Sequence, residues 1–307
     1  MRKCATYMAT IALLFMLSSC TANTADDGRV LIRIAYLPLT HSAAIMLLPE
    51  ITQDDENYRI ELVRFTTWIE VTEALRARQV EGASILFEVA LRDREQDDSL
   101  TLVSLSHRDG NVIVVDNTIT NYQDLIGRTV AIPHRLSPHY TLLQMVLERE
   151  GIDISEINVI DLSPTEMPFA MATRAISAFV VAEPWGTIAE VRGVGRILET
   201  SNEILPGSIC CVLVFHEAVL NAHYGLRDWL LDHFAIAASY AQLYPEKIEA
   251  VFKRHTSFAE GIISKSLENT NFENLCLCQD EYEYFTEIIR RTGVQHVFPD
   301  FDDFVRR

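Results

Sequence analysis

The chain has 307 residues, 49% of them hydrophobic, and a formal charge of −17 from 43 acidic against 26 basic side chains. That length is enough for a sizeable core and for two lobes. The acidity argues against nucleic acid and against anionic lipid surfaces as partners.

In chain order, Arg2 and Lys3 give a basic start and residues 9–17 a short apolar core that ends in small residues, the pattern of a secretory signal. The core is too short for a permanent membrane span. Leu17-Ser18-Ser19-Cys20 resembles the lipobox of bacterial lipoproteins. That resemblance implies removal of residues 1–19, lipidation of Cys20, and a polar tether over residues 20–28. The mature protein is then expected outside the cytoplasmic membrane, held by acyl chains with its folded part in water. Losing Arg2 and Lys3 takes the net charge to about −19.

Residues 30–36 form a β-branched strand, and residues 42–50 a helix. Residues 58–65 alternate as a strand does, and a helix covers residues 68–78. Thr67 is the N-cap of this helix, and Glu70 three residues on completes a capping box. Short strands follow at residues 82–86 and 100–105. This alternation predicts α/β layers on a largely parallel sheet. A second series runs through strands at residues 111–115, 128–132, 157–162 and 178–182. Its helices start at Ser137-Pro138, with proline at the first helical position, at Glu166 and at Pro184. Residues 209–215 read as a buried strand, and the chain is mainly helical from His216 onward. The second series therefore looks inserted into the first, which predicts a first lobe from residues 29–112 and 213–307 and a second lobe from residues 113–212.

Four cysteines lie beyond Cys4 and Cys20: Cys210, Cys211, Cys276 and Cys278. Their spacing is not a zinc-ribbon pattern. Buried free thiols are the expectation, with a long-range disulfide as the alternative. On a strand, Cys210 and Cys211 would point to opposite faces. No nucleophile elbow, phosphate loop, H-E-x-x-H helix or G-x-G-x-x-G turn is present, and no enzymatic activity is expected.

Six segments carry a family resemblance. They are Arg33-Ile34-Ala35-Tyr36-Leu37-Pro38-Leu39-Thr40-His41-Ser42-Ala43, Thr67-Trp68 with Gln79-Val80-Glu81-Gly82-Ala83, Gly110-Asn111-Val112-Ile113-Val114, Asp124-Leu125-Ile126-Gly127-Arg128-Thr129-Val130-Ala131, Ser137-Pro138-His139-Tyr140-Thr141-Leu142-Leu143, and Ala182-Glu183-Pro184-Trp185-Gly186. In this order the chain resembles the solute-binding proteins of ABC importers in the nitrate/sulfonate/taurine/bicarbonate group. The resemblance implies a type II periplasmic-binding fold, two α/β lobes around a hinged cleft. It also implies a small polar ligand, a permease and an ATPase as partners. Three positions depart from nitrate- and bicarbonate-type members: His41 replaces an acid, Ser84 a larger polar side chain, and Glu88 a common proline.

Ligands of open α/β sheets bind where strand ends meet helix starts. Together with the resemblance, this makes Thr40, His41, Ser42, Trp68, Ser84, Glu88, His139, Glu183 and Trp185 the expected ligand-binding residues, with His134 nearby. Glu88 and Glu183 in one pocket call for a cation, a ligand amine, or an anion accompanied by a metal ion; those alternatives stay open, and no resident cofactor is expected. A binder of a thiamine-pyrimidine precursor, a menaquinone-biosynthesis-type enzyme on the same fold, and a sensor presenting a solute to a receptor are the rival readings.

Overall fold

The computed structural model describes residues 24–96 and 99–305. The signal segment and Cys20 lie outside the described residues. Among those described, no helix is long and apolar enough to cross a membrane.

The first series builds β1 (Val30–Tyr36), β2 (Tyr58–Arg64), β3 (Gly82–Leu86) and β4 (Leu100–Leu105). After these come a two-residue strand β5 (Arg108–Asp109), then β6 (Asn111–Val115), β7 (Thr129–Ile132), β8 (Asn158–Asp161), β9 (Ala178–Ala182) and β10 (Arg196–Thr200). The return strand is β11 (Cys211–His216), and β12 (Thr270–Asn271) is a short late strand. One sheet has the order β2-β1-β3-β11-β4 and the other β10-β6-β9-β7-β8, while β12 and β5 make a separate ribbon between them.

Each sheet is mixed rather than largely parallel. β1 pairs parallel with β2 and β3, but β11 runs antiparallel to β3 and β4. In the second sheet β7 is parallel to β8 and β9, while β6 and β10 are antiparallel additions. The reversed strands are the ones next to the crossings, so they enter their sheets from the opposite end to the crossover-connected strands.

β6 begins at Asn111 and lies wholly in the second sheet, and β11 begins at Cys211 and lies wholly in the first. The switches between lobes therefore occupy residues 106–110 and 201–210. The expected boundaries at 112/113 and 212/213 fall a few residues too late, because β6 and β11 are already inside their sheets at those positions.

Local signals locate the helices. Thr67 and Glu70 form the capping box of the Trp68–Arg76 helix. Ser137 caps the Pro138–Arg149 helix by accepting from the Tyr140 N–H, with Pro138 in its first turn. The Phe87–Gln96 helix, which carries Glu88, is one the sequence pattern did not mark. Two apolar layers cover the first sheet and two cover the second. One of them joins the lobes: Trp68, Ala83 and Val212 of the first pack in the same layer as Leu136, Leu142 and Ala182 of the second. Burial at about 25 cal/mol per Å² of apolar surface makes this shared layer a main force holding the lobes together.

Candidate functional site between the lobes

Both chain crossings and both lobes bring polar side chains to one fully buried place. Thr40 and His41 end the loop after β1 in a single 3-10 turn and are 0% exposed. His107 lies on the first crossing, Cys210 on the second, and Cys211 at the start of β11; all three are 0% exposed. His139 comes from the first turn of the Pro138–Arg149 helix and is also 0% exposed.

His41 Nε2 sits 2.9 Å from the Gly110 carbonyl oxygen. A carbonyl only accepts, so Nε2 carries a proton, and in the neutral ring the lone pair is then on Nδ1. Nδ1 lies 3.8 Å from Cys211 Sγ. The His41 and His107 rings stack with centroids 3.7 Å apart. Cys210 Sγ is 3.7 Å from Cys211 Sγ and 3.6 Å from Asn111 Oδ1, to which it donates. Neither ring nitrogen of His107 or His139 has a hydrogen-bond partner.

The two thiols share a site despite the alternation expected of a strand. Cys210 precedes the β11 ladder, between that strand and the isolated bridge of Ile209 to Arg108. The local backbone is therefore not pleated through both residues, and both sulfurs reach the same space. Cys276 and Cys278 are exposed, not buried, and all four cysteines are free.

Burial pushes His139 down to about 4, and burial together with the neighbouring His41 pushes His107 down to about 4. Both are neutral imidazoles at pH 7. Burial acts to raise the Cys210 thiol, but the Cys211 hydrogen bond and the His41 ring hold it well below the ordinary thiol range. Burial and the Cys210 sulfur push Cys211 well up. Burial raises Glu88 well above the usual carboxyl range.

The expected ligand-binding residues fall into separate groups. Thr40 and Glu183 are joined directly: the Thr40 N–H and Oγ1 each donate to the Glu183 carbonyl at 3.0 Å. The Glu183 carboxylate faces its own helix start. Oε2 accepts from the Thr187 N–H at 2.9 Å, and Oε1 from Thr187 Oγ1 and Asn269 Nδ2, each at 3.0 Å. Burial raises this carboxyl above its usual value. Ser42 is buried at the end of the 3-10 turn. Ser84 Oγ is 3.0 Å from Ser106 Oγ. Glu88 Oε1 accepts from Thr141 Oγ1 of the other lobe at 3.1 Å, and Oε2 has no partner.

The two tryptophans line different clefts. Trp68 borders one with Thr72, Arg76, His134 and Leu136. Trp185 borders another, of about 150 Å³, with Leu37, Leu39, Phe65 and Phe258. Neither cleft is lined by His41 or His139. Trp68 and Trp185 thus wall two different clefts, neither of which reaches His41 or His139. Both indoles start helices that follow strands, as expected, and both pack on the interlobe layer while lining different clefts.

His107, Asn111 and the paired thiols were absent from the expected site. The available signal was positional: His107 ends the run out of β4, and Cys210-Cys211 opens the return strand, so the two crossings must meet at the hinge.

A family model described as NMT1-like matches residues 27–256. The chain belongs to the NMT1-like family. Among curated proteins, the nitrate import ATP-binding protein NrtC of Synechocystis sp. is 23% identical over 213 residues, 62% of this chain but 32% of that protein. The chain thus spans about a third of that relative's length. Among solved structures, the ligand-binding component of an ABC-type import system from Staphylococcus aureus, solved with zinc bound, superposes with a TM-score of 0.84 at 27% identity, covering 90% of this chain and 96% of the other. The periplasmic aliphatic sulphonate binding protein SsuA of Escherichia coli gives a TM-score of 0.74 at 16% identity, over 90% and 97% of the two chains. The NMT1-like chain thus has the fold of periplasmic binding proteins.

Proposed function

We propose that this NMT1-like protein is the solute-binding component of an ABC importer and works outside the cytoplasmic membrane. The observation that carries this reading is the buried polar group at the hinge. It is built from two lobes and two crossings, so a solute reaching it must enter while the lobes are apart and be enclosed when they close. The family match and the likeness to import-system and sulfonate-binding components support it. A permease and an ATPase subunit are the expected partners, and a lipid on Cys20 is the expected anchor. The protein binds and does not turn over its solute.

The solute's class follows from what the site still offers. The Thr40 hydroxyl and amide are committed to Glu183, and the His41 N–H to Gly110. Few donors remain for a nitrate or sulfonate oxygen, whereas nitrogen and sulfur lone pairs are concentrated there. The zinc of the staphylococcal neighbour makes a metal-bearing solute the branch to test beside oxyanions, sulfonates, amino-sulfonates and pyrimidines. A thermal-shift panel of these, each with and without a divalent transition metal, tests the reading. A solute present at a hundredfold excess over its dissociation constant adds roughly 2.7 kcal/mol. Stabilisation by one class, with compaction in small-angle scattering, is the expected result. Turnover of a panel member, or no response to any of them, would count against the reading.

A further inference from the structure

We propose that His41, His107, Cys210 and Cys211 form a binding site for a thiolate- and imidazole-preferring transition-metal ion, zinc(II) or copper(I). The proposal deepens the solute-binding reading but rests on it only for the ion's role as cargo. The site itself stands on the geometry of the four side chains.

Each of the four offers one ligand atom, and these atoms all lie within 4.8 Å of one another. A tetrahedral ion with metal–sulfur bonds near 2.3 Å holds its two sulfurs about 3.8 Å apart, and a sulfur and a nitrogen about 3.6 Å apart. The Cys210 and Cys211 sulfurs are 3.7 Å apart, and Cys211 Sγ is 3.8 Å from His41 Nδ1. The spacing suits an ion between them with little movement.

The supporting hydrogen bond is also in place. Histidine ligands commonly donate their other ring N–H to a backbone carbonyl, which fixes the tautomer and turns the lone pair toward the metal. His41 does so through Gly110. Gly110 has φ +83, and a Cβ there would fall 2.6 Å from His41 Nε2, so a residue without a side chain is needed for this approach.

His107 leaves two buried ring nitrogens unpaired, an expensive arrangement for a polar group taken out of water unless another partner exists. A metal ion would take the single lone pair of the neutral ring, the other nitrogen keeping its proton. Charge agrees with the assignment: two thiolates and two neutral imidazoles around zinc(II) sum to zero, which suits a fully buried site. Two soft and two borderline donors favour zinc or copper(I) over magnesium or calcium, which take oxygen ligands. His139 approaches from the second lobe, and its ring bears electrostatically on Cys210.

The test uses the full chain, reduced and stripped with a chelator, and titrated with zinc(II), with copper(I) under anaerobic conditions, and with cobalt(II) as a spectroscopic probe. One zinc or copper(I) ion per chain is expected. Cobalt should show a thiolate-to-metal charge-transfer band and the intense visible absorption of a tetrahedral site. Cys210→Ser and Cys211→Ser should each reduce the charge-transfer band and weaken zinc binding at least tenfold, while Cys276→Ser and Cys278→Ser leave both unchanged. His107→Gln serves as a second variant should a cysteine variant fail to fold; it should weaken zinc binding with the charge-transfer band retained at saturating cobalt. Failure of the wild-type chain to bind either ion would overturn the proposal. So would an unchanged affinity and cobalt spectrum in Cys210→Ser, Cys211→Ser and His107→Gln. Stoichiometric binding without any link to uptake in cells would leave the metal site standing and remove the ion's role as cargo. Uptake of an organic solute by a chain that binds no metal would overturn the metal site and leave the importer reading standing.

Discussion

Thr40 and Glu183, 143 residues apart in sequence, are tied by two hydrogen bonds that converge on one oxygen: the Thr40 amide and hydroxyl both donate to the Glu183 carbonyl at 3.0 Å. The loop that follows the first strand of one lobe is thereby fastened to the strand end of the other, next to the hinge. The Glu183 side chain is directed elsewhere, onto Thr187 and Asn269, where it holds the start of the Trp185–Val191 helix.

This division of labour separates stability from binding. In Glu183→Gln, the carboxamide presents a donor where only donors now point, since one of its two terminal atoms becomes NH2. The expected cost is about 1–3 kcal/mol in urea unfolding. Affinity for zinc should be nearly unchanged, because the carboxylate lies outside the four-ligand cluster. A large fall in affinity with intact stability would show that Glu183 contacts the ligand.

Trp68 is buried in the apolar layer shared by the two lobes, with Leu136 and Leu142 across from it. Trp68→Ala should cost about 3–5 kcal/mol, the range for emptying a large aromatic from a core. Chemical denaturation measures it. A cost below about 1 kcal/mol would place the indole at a dispensable surface instead.

Gly110→Ala combines a left-handed backbone with a Cβ 2.6 Å from His41 Nε2 and 2.8 Å from Thr270 Oγ1. His41 must then shift or lose its carbonyl partner. Loss of such a supporting hydrogen bond typically weakens metal binding on the order of ten- to a hundredfold. Calorimetric titration of the variant with zinc checks this, and wild-type affinity would mean that the His41 orientation does not matter.

A pH dependence is expected in the second lobe, at Glu199. Both terminal nitrogens of Arg149 donate to Glu199 at 2.7 Å, and the Tyr122 hydroxyl donates at 2.6 Å. The Arg149 bonds hold the Glu199 carboxyl below its ordinary value of 4.5. A depressed carboxyl contributes stability that is fully present above the unfolded value and is lost as pH falls through the folded one. The stability gap between wild type and Glu199→Gln should therefore be constant near neutrality and close progressively below about pH 4.5. A gap that widens in acid would reverse the assigned sign.

Much of the fold was legible because its signals are local. Thr67 with Glu70, and Ser137 with Pro138, mark helix starts through hydrogen bonds made within a few residues, and both are present as expected. The apolar strands at residues 30–36, 82–86 and 178–182 announced themselves by length and composition. The short hinge pairing of Arg108–Asp109 with Thr270–Asn271 had no such signal, since its partners are brought together only by the finished lobes.

By itself, the sequence determined the strand–helix alternation, the insertion of one series into the other and the family, because these rest on periodicity, caps and ordered motifs that neighbouring residues impose on each other. It also placed His41 and His139 at turns that enter helices. Only the tertiary structure decided that Trp68 and Trp185 line separate clefts, that Glu183 turns toward its own helix, and that Cys210 and Cys211 meet His41 and His107. Those four side chains come from three separate stretches of chain, and no local rule relates them. Their convergence depends on where two crossings pass each other at the hinge, a position set by the packing of both sheets at once.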